Sequence, residues 1–350
     1  MATLILTGGG TAGHVTPHLA ILPHLKNNFD KIYYFGSENG IEKDIIAKEN
    51  LPYYSIPCAK LNRKFNFENF TIPFKLISGY IKAGKLLDEI KPDVIFSKGG
   101  YVSIPTILAG KKRKIPIISH ESDCTMGLAN RLTAKYCKKV LTSFTVTAKS
   151  LKNAEYVGPP IRKSLFETNK ASSLKFFNFS GNKPILLVTG GSQGAKAIND
   201  TLRNSLNDIL PKYDIIHICG KGNFSSQHIQ NGYYQTEYLS NIELAFSVCS
   251  ICVSRAGSNS VFELLALKIP TVLIPLPKGN SRGDQVINAE YFQKLGLVHV
   301  LPQHSLTAKS LTLTINSAYA NRHNLKRNFD SFPIVDSSRL ISRIIADAVH

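Results

Sequence analysis

The chain has 350 residues, enough for two domains of ordinary size, and its 43% hydrophobic and 19% charged residues describe a globular protein. No run approaches the ~20 apolar residues that span a bilayer, and the N-terminus enters a strand directly rather than a leader segment, which predicts a cytosolic protein. A net charge of +18 calls for an anionic partner, and the lack of zinc-finger, RNP-like or basic-heptad patterns sets nucleic acid aside in favour of anionic lipid or phosphorylated substrates.

In chain order, Leu4–Leu6 reads as a strand that runs into the glycine-rich turn Thr7–His14 (T-G-G-G-T-A-G-H) and then a helix, Pro17 to Lys26. Strands are predicted at Lys31–Gly36, Tyr53–Pro57, Asp93–Ser97, Ile115–His120 and Lys139–Thr142, with a helix at Ile41–Glu49. The pattern restarts at Pro184, with strands at Ile185–Val188, Ile215–Cys219, Ile251–Val253 and Thr271–Pro275. Helices follow at Ala197–Leu210, Asn259–Leu267, Asp284–Leu295 and Leu306–Asn321. Short apolar strands separated by helices predict parallel sheets covered on both faces.

The fold class expected is therefore α/β, with two Rossmann-like, doubly wound parallel-sheet domains facing across a cleft. The expected boundaries are 1–163, 164–335, and a terminal segment 336–350. In that segment Leu340, Ile341, Ile344 and Ile345 predict an amphipathic helix packing back on the first domain. Ser164–Asn182 reads as the linker. The six cysteines are scattered, and only Cys249 and Cys252 have C-x-x-C spacing, so buried thiols are the better reading than a zinc site.

A second glycine turn, Thr189–Lys196 (T-G-G-S-Q-G-A-K), opens the second half just as Thr7–His14 opens the first. A strand that turns through glycines into a helix directs backbone N–H groups, and the positive end of a helix dipole, at one spot suited to phosphate or a developing oxyanion. Other loops rich in functional side chains are Ser97–Ser103, His120–Asp123, Ser254–Ser260 leading to Glu263, and Ser281–Gln285. A carboxylate at Glu263 can accept from both hydroxyls of a ribose while the helix N–H groups meet a diphosphate. No D-x-D pair is present to hold a divalent metal, so no metal and no cofactor is expected. Three side chains compete to be the general base: His14, Glu121 and Asp123.

Seven segments occur in the order they take in one known family. They are T-G-G-G-T-A-G-H-V-T-P, S-K-G-G-Y-V-S-I-P, H-E-S-D, G-P-P-I-R, T-G-G-S-Q-G-A, S-R-A-G-S-N-S-V-F-E-L and R-G-D-Q-V-I-N-A. Over nearly its whole length the chain resembles the bacterial lipid II synthases, which are glycosyltransferases of the type B fold. The resemblance implies inverting transfer of N-acetylglucosamine from UDP-N-acetylglucosamine to lipid I, at the cytoplasmic face of the cell membrane, by a peripheral protein. Its implied partners are UDP-N-acetylglucosamine, lipid I and the anionic inner-membrane surface, with other cell-wall assembly proteins as candidates.

The same resemblance implies site residues. On the donor side, Arg162 and Ser192 would contact phosphate and other donor groups, and the Leu239 backbone would meet uracil. Ser258, Asn259, Ser260 and Val261 would meet the diphosphate, Glu263 the ribose and Gln285 the sugar. Thr11, Ala12 and Gly13 would close over the donor, while His14, Gly99, Gly100 and Tyr101 would face the acceptor. Two departures stand out: His120-Glu121-Ser122-Asp123 replaces the usual H-E-Q-N, with Asn130 able to share the lost Asn's role, and Pro159 replaces the Asn of G-N-P.

The same residues admit other readings. Another type B transferase with a lipid acceptor, such as a diacylglycerol glycosyltransferase, fits less well because of the His14 loop and S-N-S-V-F-E. An NAD-dependent oxidoreductase would use Gly8, Gly10 and Gly13 with Asp30 as the ribose acid, leaving the second turn unexplained. A non-catalytic nucleotide-sugar-binding protein would show no turnover. Between residues 60 and 85, Phe65, Phe67, Phe70, Ile72, Phe74, Ile77 and Ile81 interleave with Arg63, Lys64, Lys75, Lys82 and Lys85, which predicts a membrane-docking patch.

Overall fold

The computed structural model describes residues 2–59, 72–191, 194–279, 282–332 and 334–349. The chain forms two compact units, residues 1–162 with 336–350, and residues 163–335. The first unit is built on seven parallel strands: β1 (Thr3–Thr7), β2 (Lys31–Gly36), β3 (Tyr53–Ser55), β4 (Val94–Ser97), β5 (Ile117–Glu121), β6 (Lys139–Thr142) and β7 (Ala154–Tyr156). Their spatial order is β3-β2-β1-β4-β5-β6-β7. The second unit has six parallel strands: β8 (Ile185–Thr189), β9 (Asp214–Ile218), β10 (Tyr233–Thr236), β11 (Cys249–Ser254), β12 (Thr271–Leu273) and β13 (His299–Val300). Their order is β10-β9-β8-β11-β12-β13.

Alternation along the strands explains why both faces are covered. Leu4 and Leu6 point into one apolar layer with Ile21, Leu22 and Leu25, while Ile5 points into the other with Ile95, Ile107 and Leu87. In the second unit Leu186 and Val188 of β8 pack with Ile198 and Leu202 of the helix Lys196–Arg203 and with Leu311 and Ile315.

The terminal helix Ser338–Ala346 belongs to the first unit. Ile341 and Ile345, four residues apart on one face, enter the layer that contains Leu22 and Leu25, and Asn28 donates to Ser342 Oγ at 2.9 Å. Asp336 starts the helix: its Oδ1 accepts the N–H groups of Ile161 and Ser338, each at 2.9 Å. Leu340, expected on the buried face, is exposed, because that face centres on Ile341 and Ile345.

Other details also differ from expectation. The expected linker carries a helix, Lys170–Phe177, whose N-cap Asn169 accepts the N–H groups of Ala171 and Ser172 and whose C-cap Asn178 is left-handed. Capping rather than apolar periodicity defines it. It packs into the second unit, where Ser247 donates to Ser173 Oγ at 2.8 Å and the Phe177 ring meets Tyr234 edge-on. The helix expected over Ala197–Leu210 breaks at Ser205, whose hydroxyl donates back to the Thr201 carbonyl at 2.7 Å.

Candidate active site

In both sheets the chain order reverses beside the first strand, between β1 and β4 and between β8 and β11. At such a point successive loops diverge to opposite sides and leave a crevice at the carboxyl ends of the strands. Both glycine turns lie there.

In the first unit, the turn after β1 meets the turn after β4. A Cβ on Gly100 would lie 2.4 Å from the Gly9 carbonyl oxygen and 3.4 Å from His14 Nδ1. One on Gly99 would strike the Asn130 carboxamide, and one on Gly10 the Tyr101 ring at 2.5 Å. Gly99 and Gly100 both have φ near +80°, so they are glycines for conformational as well as steric reasons. Thr11 is exposed and leads into the short 3-10 turn Ala12–His14, with Thr11 Oγ1 2.9 Å from His14 Nδ1.

The first turn already holds a carboxylate. Glu42, fully buried on the helix Ile41–Ala47, accepts the N–H of Gly10 at 3.0 Å through one oxygen. The other oxygen accepts the N–H of Ser37 at 3.0 Å and the Ser37 hydroxyl. The expectation that this turn leaves its amides for a ligand is therefore corrected at Gly10, where the protein supplies its own anion. Asp30 sits before β2 at the amino ends of the strands, opposite the glycine turn, and accepts the Ala2 N–H at 2.7 Å, so it cannot serve as the ribose acid of a dinucleotide site.

The loop after β5 is equally committed. Glu121 is buried, with Oε1 accepting from Asp123 N at 3.0 Å and Oε2 from Gly127 N at 2.8 Å and Asn130 Nδ2 at 2.9 Å. Asn130 is buried too, and its Oδ1 lies 3.3 Å from Ser119 Oγ. Asp123 is partly exposed, and its carbonyl accepts from Thr147 at 3.3 Å. Beneath these loops lies Lys98, 2% exposed, which contacts His120 Nδ1 and donates to Ser122 Oγ at 2.7 Å. Burial and the Lys98 charge hold His120 and His18 well below the usual histidine range. Burial raises Tyr101.

In the second unit, Gly194 has φ +74°, and its missing side chain makes room for the Cys219 carbonyl. Ser192 lies outside the described residues. Among the described residues, a Cβ on Gly191 or on Gly257 would meet nothing within 4 Å. Gly257 caps the helix Ser258–Ala266 without a side-chain bond, and the first intrahelical bond runs from Val261 N to Gly257 O at 3.1 Å. The N–H groups of Ser258, Asn259 and Ser260 thus point out of the helix end. Asn259 and Glu263, four residues apart, share the partly exposed face.

Val261 has its side chain in the core, and its N–H makes the first bond of the helix. Gln285 accepts the Leu276 N–H at 3.0 Å, tying the loop after β12 to the helix Asp284–Lys294. Buried Asn288 and Arg255 donate to the Ala256 and Ile274 carbonyls at 3.2 and 2.9 Å, fixing the approach to the Ser258 helix. Leu239 follows β10 at the same sheet end, half-buried. Arg162 ends the first unit. Among the described residues no cluster of three His, Cys, Asp or Glu side chains is placed to hold a metal ion.

Residues 4–142 match the glycosyltransferase family 28 N-terminal domain, and residues 185–342 its C-terminal domain. A protein of Clostridium perfringens is 44% identical over 352 residues, covering 99% of this chain and 98% of its own. One of Clostridium botulinum is 45% identical over 351 residues, covering 99% of each. Both carry the name UDP-N-acetylglucosamine–N-acetylmuramyl-(pentapeptide) pyrophosphoryl-undecaprenol N-acetylglucosamine transferase. The chain belongs to this transferase family. The crystal structure of MurG from Acinetobacter baumannii superposes with a TM-score of 0.77 at 21% identity, covering 99% of this chain and 100% of that one. A glycosyltransferase of kitacinnamycin gives 0.76 at 13% identity, covering 100% and 99%, so the two-unit architecture extends to transferases of low sequence likeness.

Glu42 and Ser37 were not among the residues expected at the site, and Lys98 was expected only as part of the Ser97–Ser103 loop. Glu42 carried a faint signal, an acid in the first turn of the helix that follows β2. Replacing it with Ala would leave the Gly10 and Ser37 donors without their acceptor, at a cost of ~2–4 kcal/mol in the first unit. Thermal unfolding is expected to show that loss, and an unchanged Tm would mean that the turn does not depend on Glu42.

Proposed function

We infer that the protein transfers N-acetylglucosamine from UDP-N-acetylglucosamine to the muramoyl 4-hydroxyl of lipid I, forming the β1–4 disaccharide of lipid II. The observation that carries this reading is end-to-end likeness, at 44–45% identity, to transferases of that name. The geometry supports it with a helix N-terminus, at a switch point, that suits a departing diphosphate.

In the proposed reaction, a base takes the proton of the acceptor hydroxyl as its oxygen attacks the anomeric carbon. The bond from that carbon to the β-phosphate oxygen breaks, and UDP departs from the opposite face. The amides of Ser258, Asn259 and Ser260 receive the diphosphate charge, Glu263 the ribose hydroxyls, Gln285 the sugar and the Leu239 backbone the uracil. Thr11, Ala12, Gly13, Arg162 and Ser192 remain donor contacts proposed from the resemblance, as do Gly99, Gly100 and Tyr101 on the acceptor side.

His14 is the base this reading favours. The tautomer that donates from Nδ1 to Thr11 Oγ1 puts the basic lone pair on Nε2. Glu121 would have to give up interior hydrogen bonds to take a proton.

The acceptor's lipid tail calls for a membrane contact, and among the described residues no helix is long and apolar enough to cross a bilayer. The helix Ile72–Ile90 packs through Gly79 against Pro57 and Pro105, buries Ala83, and leaves Phe74, Ile77 and Ile81 at 75%, 58% and 51% exposure. Lys75, Lys82 and Lys85 are exposed on the same helix. We propose that this face docks on the anionic inner leaflet. Arg63, Lys64, Phe65, Phe67 and Phe70 of the expected patch lie outside the described residues.

Three outcomes are expected. Labelled UDP-N-acetylglucosamine with a short-chain lipid I analogue yields disaccharide product in excess EDTA; a loss restored by magnesium would make the reaction metal-dependent, and no product would overturn the transferase reading. Glu263→Ala weakens UDP binding by ~1.5–3 kcal/mol, whereas His14→Ala leaves UDP affinity intact and lowers kcat by ~10²–10⁴-fold. Calorimetry and kinetics giving the reverse pattern would exchange their roles. Serine at Phe74, Ile77 and Ile81 together abolishes sedimentation with anionic vesicles, and binding equal to wild type would move the docking surface elsewhere.

A further inference from the structure

Lys98 is the group whose cost the proposed reaction has not used. A buried ammonium is unfavourable unless strongly compensated, and a hydrophobic side chain of similar length would fill its place at lower cost. Its direct partners are a neutral imidazole and a hydroxyl, His120 Nδ1 and Ser122 Oγ. The carboxylates of Glu121 and Asp123 act on it through charge alone. Yet it occupies the point where three loops of the acceptor half meet. Its backbone N–H donates to the Thr7 carbonyl at 2.9 Å, a Cβ on Gly8 would lie 3.1 Å from its own Cβ, and Gly99 and Gly100 follow it directly.

We propose that Lys98 is a positioning residue for the transfer: its ammonium, bridging His120 and Ser122, holds the loop that carries Asp123 against the two glycine turns that present His14. This rests on the transferase reading and extends it. It also accounts for Asp123, since an acid at the end of this loop has a buried cation behind it where Asn would need none. Because Lys98 is almost fully buried, it acts through the loop and not by touching substrate.

The arrangement has a pH signature. Burial pulls Lys98 down to about 7, with Glu121 and Asp123 pulling the other way. The titratable groups around it do not share that range. His18, on the helix Thr16–Leu25, and His120, the histidines on which its charge acts, are held well below the usual histidine value. If the ammonium is the working form, kcat falls as pH rises through the Lys98 value, opposite in direction to the limb of a histidine base.

The test is the pH profile of kcat for wild type, Lys98→Met and Ser122→Ala, with a short-chain lipid I analogue and UDP-N-acetylglucosamine, beside UDP affinity as a fold control. The wild type should lose activity about tenfold per pH unit on its alkaline limb. Lys98→Met should lower the plateau ~10–10²-fold, lack that limb and bind UDP normally. Ser122→Ala should lower the plateau less and keep the limb. A wild-type profile flat from pH 7 to 9, or wild-type kcat and limb in Lys98→Met, would overturn the proposal. Should Lys98→Met lose UDP binding through misfolding, the wild-type profile still decides. Absence of transfer by wild type at every pH would overturn the transferase reading, and this proposal with it.

Discussion

All-parallel sheets constrain this protein more than any single contact. Each strand must be left by a crossover of fixed hand, so a chain that adds strands to both sides of its first one has to part its loops at a single place. Both units do so, between β1 and β4 and between β8 and β11. His14, Gly99 and Gly100 gather at the first of these places, and Gly191 and Ser258 at the second. The residues far apart in sequence meet because strand order leaves them no other position.

The two glycine turns start from the same local design and end differently. In the first, Glu42 fills the place that a ligand anion would take, and the loop becomes a rigid platform against which Gly100 and Tyr101 pack. In the second unit, among the described residues, a Cβ at the helix cap Gly257 would meet nothing within 4 Å. A fixed platform suits presentation of His14, while a positively polarised helix end suits a group that arrives and leaves carrying charge.

Much of this was legible in the sequence because the informative signals are local. Apolar runs of strand length, glycines at strand ends and the order of seven short motifs gave the α/β class and the loops that matter. What escaped depends on tertiary distance. Glu42 looks like an ordinary first-turn acid until the fold sets it beside Gly10, and Lys98 stands in a loop the sequence marks, but its burial shows only once the fold is built. Val261 has its side chain in the core, which helix phase and not the motif decides. The short strands β7, β10 and β13 span two to four residues, too few for alternation to register, and the helix Lys170–Phe177 is marked by its caps alone.

The central claim is that the second unit receives the nucleotide diphosphate at the helix end after β11, while the glycine turn after β1 in the first unit is held at Gly10 by Glu42. Amide hydrogen exchange with and without UDP addresses it directly, because each N–H that binds phosphate slows. The account predicts protection at Gly257–Ser260 and near Gly190–Gly191, with no UDP-dependent change at Gly8–Gly10. Protection concentrated at Gly8–Gly10, with Ser258–Ser260 exchanging as in the free protein, would contradict it.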